Sequence, residues 1–188
     1  MYLFAAQSLG ILGMAANIVG FQFKSKKNIL LCQFIGSLLF AANMFMLKAV
    51  TGGIMNILGI ARALVYMKKE KIKIPIVIVN VAFILTYLTF YVLVFALFGV
   101  EASPRNLIFE FFPIIAMSSM TLAFSANSAK TIRLAGFVNS PCWLVYNCVN
   151  FAIGGILCEA FGLVSIISSL IRIDIVGARR KKEEKESA

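Results

Sequence analysis

Apolar runs, most of them about as long as a membrane is thick, alternate with short polar breaks along almost the whole chain. A helix of roughly 20 mainly apolar residues crosses the hydrocarbon core of a bilayer. Only 14% of the residues are charged, whereas soluble domains average about 25%. The sequence therefore predicts an all-α membrane protein of seven transmembrane helices. The runs cover about residues 2–23, 29–47, 54–67, 74–99, 107–124, 132–151 and 156–176.

Basic residues give the chain a net charge of +10, and they lie in short clusters between the runs. Membrane proteins concentrate Lys and Arg in their cytoplasmic loops. Alternate breaks and the C-terminal tail hold most of them: Lys24, Lys26, Lys27, Lys68, Lys69, Lys71, Lys73, Lys130, Arg133, Arg179, Arg180, Lys181, Lys182 and Lys185. The other breaks hold only Lys48 and Arg105. This asymmetry predicts an external N-terminus and a cytoplasmic C-terminus, and it explains the charge without nucleic acid. The first run has no basic residue before it, which favours a retained span over a signal peptide.

A short glycine motif occurs twice. Residues 52–55 (GGIM) followed by Gly59 resemble residues 154–157 (GGIL) followed by Gly162. The match indicates that spans one to three are repeated as spans five to seven, with span four as an unpaired linker. Such an odd linker makes the two repeats parallel, which is a plan typical of transporter folds.

The repeat divides the chain into four parts. A first three-helix unit covers residues 1–67, and the linker helix with its loops covers residues 68–106. A second three-helix unit covers residues 107–176, and a charged cytoplasmic tail covers residues 177–188. This 3+1+3 topology resembles that of the SWEET sugar facilitators, within the PQ-loop group, and of the PnuC vitamin transporters.

A second resemblance rests on sequence. Residues 20–27 (GFQFKSKK), Gln33, residues 51–53 (TGG), Asn56 and Arg62 are similar to the YgjV-type family of bacterial inner-membrane proteins. This resemblance implies a multi-pass protein of the bacterial cytoplasmic membrane. It implies the fold more than a function, because it brings no substrate with it.

Two polar residues at corresponding places in the repeats are candidates for binding a solute. Glu159 in span seven corresponds to Asn56 in span three, within one residue of alignment. Ionisable groups inside spans are costly and mark functional sites by default. The resemblance to SWEET proteins implies asparagines at the middle of both helices, a pattern that Asn56 matches and Glu159 does not. The alternative is an interhelical hydrogen bond that only fixes packing.

Span six carries an aromatic and amide cluster. Trp143 lies three residues before Tyr146 and four before Asn147, so both lie beside it on one helix face. Rings with a polar group suit a sugar or a heterocycle. The first-half counterparts are Phe40 and Asn43. The alternatives are an interfacial aromatic belt or ordinary packing.

Three residues are candidates for a hinge or a gate. Pro113 and Pro141 interrupt spans five and six, where each predicts either a hinge or a simple kink. Arg62 lies toward the cytoplasmic end of span three, where it snorkels to the interface or closes an inner gate. Glu110 and Arg105 predict an ion pair at the outer mouth.

The sequence also excludes several classes of protein. It lacks histidine, phosphate-binding loops, esterase motifs and zinc-ligand spacings. The four cysteines, within apolar runs and not in CxxC pairs, read as buried free thiols. We therefore expect no enzyme, no metal and no cofactor.

The favoured function is a facilitator or secondary transporter of a small polar solute such as a sugar, vitamin or nucleoside. The alternative is a scaffold, sensor or partner-binding subunit. The expected partners are the lipid bilayer and the solute, and an oligomer is compatible with the sequence.

Overall fold

The computed structural model describes residues 2–68, 71, 73–126 and 128–172. Within them the chain forms seven α-helices: α1 Tyr2–Gln22, α2 Lys26–Met46, α3 Val50–Met67, α4 Ile76–Leu97, α5 Pro104–Ser125, α6 Ala129–Val149 and α7 Ile153–Ser169. At 1.5 Å per residue, these helices are roughly 26–33 Å long, close to the thickness of a bilayer core. The predicted tail over residues 177–188 and the end of the seventh run lie outside the described residues.

The prediction of seven helices is confirmed, and six of them are long and apolar enough to cross a membrane. The helix that falls short is α6, although it has 21 residues. Its first turns contain Lys130 and Arg133, and its interior contains Asn139, Ser140 and Asn147. These polar residues lower its mean hydropathy, and Asn139, Ser140 and Asn147 line the cavity described below.

The turns before α3 and α7 differ from the prediction. Gly52 and Gly53 were expected in a turn, as were Gly154 and Gly155, but all four lie in the first turns of the helices. The left-handed conformation is taken instead by Lys48 (φ 60°) and Phe151 (φ 51°).

The glycines serve close packing rather than turn geometry. A Cβ atom on Gly53 would lie 2.8 Å from the ring of Phe45. A Cβ atom on Gly155 would lie 2.5 Å from Cγ of Asn147. Each glycine therefore lets its helix lie against the helix before it.

Six helices form a ring. Helix α1 packs against α2 and α7, α3 packs against α2 and α5, and α6 packs against α5 and α7. The order around the ring is therefore α1, α2, α3, α5, α6, α7. Helix α4 is not part of this ring and packs against α3 and α5.

Helix α4 attaches to the ring through one narrow stripe. Its buried residues, Asn80, Tyr87 and Val94, are seven residues apart and so lie on one face. Asn80 accepts a hydrogen bond from the hydroxyl of Tyr66, and the Tyr87 hydroxyl lies 3.0 Å from Oγ1 of Thr121. The other faces of α4 are apolar and exposed, as expected for a helix surrounded by lipid.

Candidate functional site: a polar cavity inside the ring

A polar cavity lies inside the ring of helices. Its described lining residues come from all six ring helices and none comes from α4. The volume open to the centre of a water molecule is about 50 Å³, enough for a few waters. The polar lining residues are Asn17, Gln33, Ser37, Asn56, Arg62, Asn139, Ser140, Asn147 and Glu159.

Asn56 and Glu159 line this one cavity from α3 and α7. Asn56 donates a hydrogen bond from Nδ2 to the carbonyl of Gly52, at 2.8 Å in its own helix. The side chain of Ser140 lies beside the carboxyl group of Glu159. The structure thus brings together the two residues that the sequence paired, while their role in binding a solute stays a prediction.

The aromatic cluster of α6 divides between the cavity and the helix interface. Trp143 and Asn147 line the cavity. Oδ1 of Asn147 is buried and has no hydrogen-bond partner among the described residues. Tyr146 is not among the lining residues, because its hydroxyl accepts a hydrogen bond of 3.0 Å from the backbone N–H of Gly52. Tyr146 therefore joins α6 to the first turn of α3, with its ring edge-on to Trp143.

The corresponding residues of α2 divide in the same way. Phe40 lines the cavity, as Trp143 does. Asn43 is completely buried elsewhere, and its Nδ2 donates a hydrogen bond of 2.7 Å to the carbonyl of Ala6. Asn43 thus ties α2 to α1, so the structure gives both Asn43 and Tyr146 a part in helix packing.

Arg62 does not reach an interface. Its side chain is only 3% exposed and lines the cavity. Nη1 donates a hydrogen bond of 3.0 Å to the carbonyl of Met117, and the guanidinium carbon lies 4.8 Å from the ring centre of Phe124. The interpretation of Arg62 as a snorkelling residue is therefore wrong, because protein groups hold its charge inside the ring.

The prolines lie within continuous helices. Pro113 is buried in α5 and Pro141 is exposed in α6, and neither is among the lining residues. A hinge at either position stays a prediction.

The predicted ion pair between Glu110 and Arg105 does not form. The guanidinium carbon of Arg105 lies 5.9 Å from the ring centre of Phe109 instead. Glu110 turns instead toward Thr51 and Tyr146.

Hydrophobic clusters lie at both ends of the ring of helices. The Phe124 cluster lies where α1 ends and α2 begins, and it brings α2, α3, α5 and α6 together through Ile29, Leu30, Tyr66, Met120, Ala123, Phe124 and Ile132. The Met44 cluster lies at the opposite end and consists of Met44, Ala49 and Ala152. Each cluster contains residues from before and after α4.

Sequence reasoning missed several lining residues. Asn17, Gln33 and Asn139 are amides inside apolar runs, and that property was the available signal. Oδ1 of Asn17 is buried without a partner among the described residues. The cysteines are free, as expected, but only Cys158 is buried and it lines the cavity, whereas Cys148 is exposed. Among the described residues, no group of three His, Cys, Asp or Glu side chains could hold a metal ion.

Comparison with known proteins identifies the family. Residues 4–175 match the model of the Imp-YgjV family, described as bacterial inner membrane protein. The chain belongs to this family. The resemblance found in the sequence is thereby confirmed, and the six apolar helices agree with a multi-pass protein of the bacterial inner membrane. The curated proteins and the solved structures gave no match.

Proposed function

We propose that the protein is a facilitator or secondary transporter of a small polar solute, which binds in the cavity between two three-helix units. The observation that supports this most is the cavity itself, a polar chamber inside the ring with an apolar cluster toward each end. In lipid, buried polar groups need a partner or water. The free Oδ1 atoms of Asn17 and Asn147 therefore favour a chamber that water or solute enters.

An internal repeat supports this proposal, with an offset of 103 residues at most positions and of 102 at the glycine pairs. The offset relates Lys48 to Phe151, which are the two non-glycine residues with positive φ among the described residues. It also relates Ala49 to Ala152, the residues just before the third helix of each unit, which have nearly the same ψ, 76° and 81°. The packing pairs follow the same rule, since α1·α2, α2·α3 and α3·α5 correspond to α5·α6, α6·α7 and α7·α1.

The topology belongs to the proposal as well. Helix α6 would cross the membrane with the other six, because its 21 residues suffice and its neighbours α5 and α7 both meet the criteria for spanning. Seven crossings place the N-terminus outside and the C-terminus in the cytoplasm, in agreement with the distribution of Lys and Arg.

Alternating access would open one end of the chamber at a time. The Met44 cluster lies at the predicted outer end with three residues, and the Phe124 cluster lies at the inner end with seven. Polar bonds join the units at both ends: Lys26 donates to the carbonyl of Ala126 and Arg133 to that of Phe23 at the inner end, and the N–H groups of Gly52 and Gly154 donate to Tyr146 and Gln7 at the outer end. The larger apolar cluster therefore makes opening inward the harder of the two movements.

One observation favours the rival function of a scaffold or partner-binding subunit. The cavity holds only a few waters, and no sugar or vitamin fits it without movement of the helices. A transporter opens this chamber repeatedly, whereas a scaffold keeps it closed. The two functions therefore differ in whether the chamber is reached from water.

Cys158 provides a test that needs no knowledge of the solute. It lines the cavity and is 3% exposed. A protein that retains only this cysteine, with Cys32, Cys142 and Cys148 replaced by Ser, would be treated in membranes with a water-soluble methanethiosulfonate. We expect modification within minutes and none in a Cys158→Ser control. Cys158 that reacts only after denaturation in SDS would contradict transport and favour the scaffold.

A matched pair of asparagines tests the binding wall. Asn56 and Asn150 both donate from Nδ2 to the carbonyl four residues earlier, at 2.8 and 2.9 Å, but only Asn56 lines the cavity. Uptake of glucose, uridine, thiamine and L-alanine into proteoliposomes would be compared with that into protein-free vesicles. We expect Asn56→Ala to weaken the binding of the transported solute by roughly 1–3 kcal/mol and Asn150→Ala to leave it unchanged. Equal effects of the two changes would argue against this site.

A further inference from the structure

Two ionisable side chains of opposite type line the cavity without forming an ion pair. Among the described lining residues, Arg62 provides the guanidinium group and Glu159 provides the carboxyl group. The guanidinium bonds to the carbonyl of Met117 and lies over Phe124, and Ser140 is the hydrogen-bonding group beside Glu159. The chamber therefore has one basic pole, at Arg62, and one acidic pole, at Glu159.

The poles differ in depth along the chamber. Arg62 follows Asn56 by six residues, about 9 Å along α3. Its side chain leans back toward the start of the helix, as helical side chains do, and so approaches the level of the cavity. Glu159 corresponds to Asn56 under the offset of 103 and lies nearer the predicted outer end. Amide groups of Asn56 and Asn147 line the space that the two charges share.

We propose that the solute is a small zwitterion of the amino-acid type, with its ammonium group at Glu159 and its carboxylate at Arg62. This inference rests on the proposed transport function and names the solute class for the same site. A buried charge is costly unless a hydrogen-bonded counter-charge meets it. A zwitterion provides a counter-charge for both poles, a simple cation or anion provides one, and a neutral sugar provides none.

The structure favours a solute near the lower limit of size. The cavity holds a few waters, and Trp143, Phe40 and Met44 bound it with large side chains. An amino acid with a small side chain needs the least expansion. Nε of Arg62 has no hydrogen-bond partner among the described residues, so a donor is available to a carboxylate that approaches it.

The test uses four probes of similar size that differ in the charges they carry. The single tryptophan, Trp143, is the fluorescent reporter. L-alanine presents both charges, L-alaninamide the cation, propionate the anion, and glycerol neither. Fluorescence of the purified full-length protein in detergent would be titrated with each. We expect L-alanine to bind at least about tenfold more tightly than the other three, since a charge-assisted hydrogen bond contributes roughly one to two powers of ten in affinity.

Variants assign each pole. Glu159→Gln should weaken the binding of L-alanine about 10- to 100-fold and leave the affinity for propionate unchanged. Glu101→Gln, in the loop before α5, serves as the matched control. Arg62→Gln should weaken the binding of propionate and L-alanine but not the binding of L-alaninamide. If it does not fold, Arg62→Lys takes its place, because it keeps the charge but loses the forked donor, and it should show the same selectivity more weakly.

The outcomes separate this inference from the transport function. If L-alanine binds no more tightly than propionate, L-alaninamide or glycerol, the proposal that the solute is a zwitterion is wrong. If glucose or uridine is taken up while L-alanine is not, the zwitterion is wrong and transport stands. If Cys158 stays unreactive and none of the solutes enters vesicles, the transport function fails, and this inference fails with it.

Discussion

Gly155 and Gly162 on α7 provide a matched test of how the cavity wall is built. A Cβ atom on Gly155 would lie 2.5 Å from Cγ of Asn147, about 0.9 Å closer than the 3.4 Å of ordinary contact. The nearest atom to a Cβ on Gly162 is Oγ of Ser140 at 3.8 Å. Replacing Gly by Ala inside a helix gains about 1 kcal/mol from propensity. Overpacking at Gly155 costs about 1–3 kcal/mol.

Gly155 lies in the first turn of α7, where the propensity gain is no larger than at Gly162 in the helix interior, so most of the difference between the variants comes from the clash. We expect Gly155→Ala to be less stable than Gly162→Ala by about 1–3 kcal/mol, and Gly162→Ala to be at least as stable as the unmodified protein. Unfolding in mixed dodecylmaltoside and SDS micelles, followed by the fluorescence of Trp143, would give the free energies. Gly155→Ala should also weaken ligand binding, because Asn147 has to leave its place in the wall. Equal stabilities of the two variants would refute the close packing of α7 on α6.

Three further predictions concern packing, backbone and topology. Tyr146→Phe should destabilise the protein by about 1–3 kcal/mol, because the N–H of Gly52 loses its acceptor. Tyr91→Phe removes an exposed hydrogen bond to Leu107 and should destabilise it by about 0.5–1.5 kcal/mol. The same unfolding assay measures both, and a larger loss for Tyr91→Phe would contradict the role given to Tyr146. Lys48→Gly should stabilise by about 1 kcal/mol in that assay because it relieves a positive φ, and a loss of stability would contradict this. A reporter fused after Ala188 should be cytoplasmic and one inserted at residues 101–105 external; an external C-terminus would refute seven crossings.

Hydropathy predicted the number of helices and most of their ends within a few residues. The apolar runs ended where Lys24 and Lys48 occur, and α1 and α2 end within two residues of these positions. Helix propensity and burial in lipid act in the same direction here, so a one-dimensional pattern is sufficient. The starts of α3 and α7 were placed three to four residues too late, because paired glycines are typical of both turns and close helix contacts.

The closing of the ring could not be predicted from the sequence. It depends on the contacts of α1 with α7 and of α3 with α5, which join helices far apart in the chain. Part of the first contact comes from Gln7, whose Oε1 accepts from the N–H of Gly154, and from Gln22, which donates to Ser165. A glutamine in an apolar run indicates that some partner exists, but not which helix provides it. The same limit applied to Tyr146, whose spacing matched a cavity face although its hydroxyl bonds to α3.

The proposed repeat gives the site a symmetric frame and an asymmetric wall. Under the offset of 103, backbone features agree, as at Lys48 and Phe151, while several wall residues differ. Asn56 corresponds to Glu159, and Met44 corresponds to Asn147. Two units of equal shape could exchange inner and outer openings by the same movement, which alternating access requires. A wall with a carboxylate on one unit and a guanidinium on the other distinguishes the two ends of a solute. This combination suits a solute whose own ends are opposite in charge, because only such a solute has an orientation that both units favour.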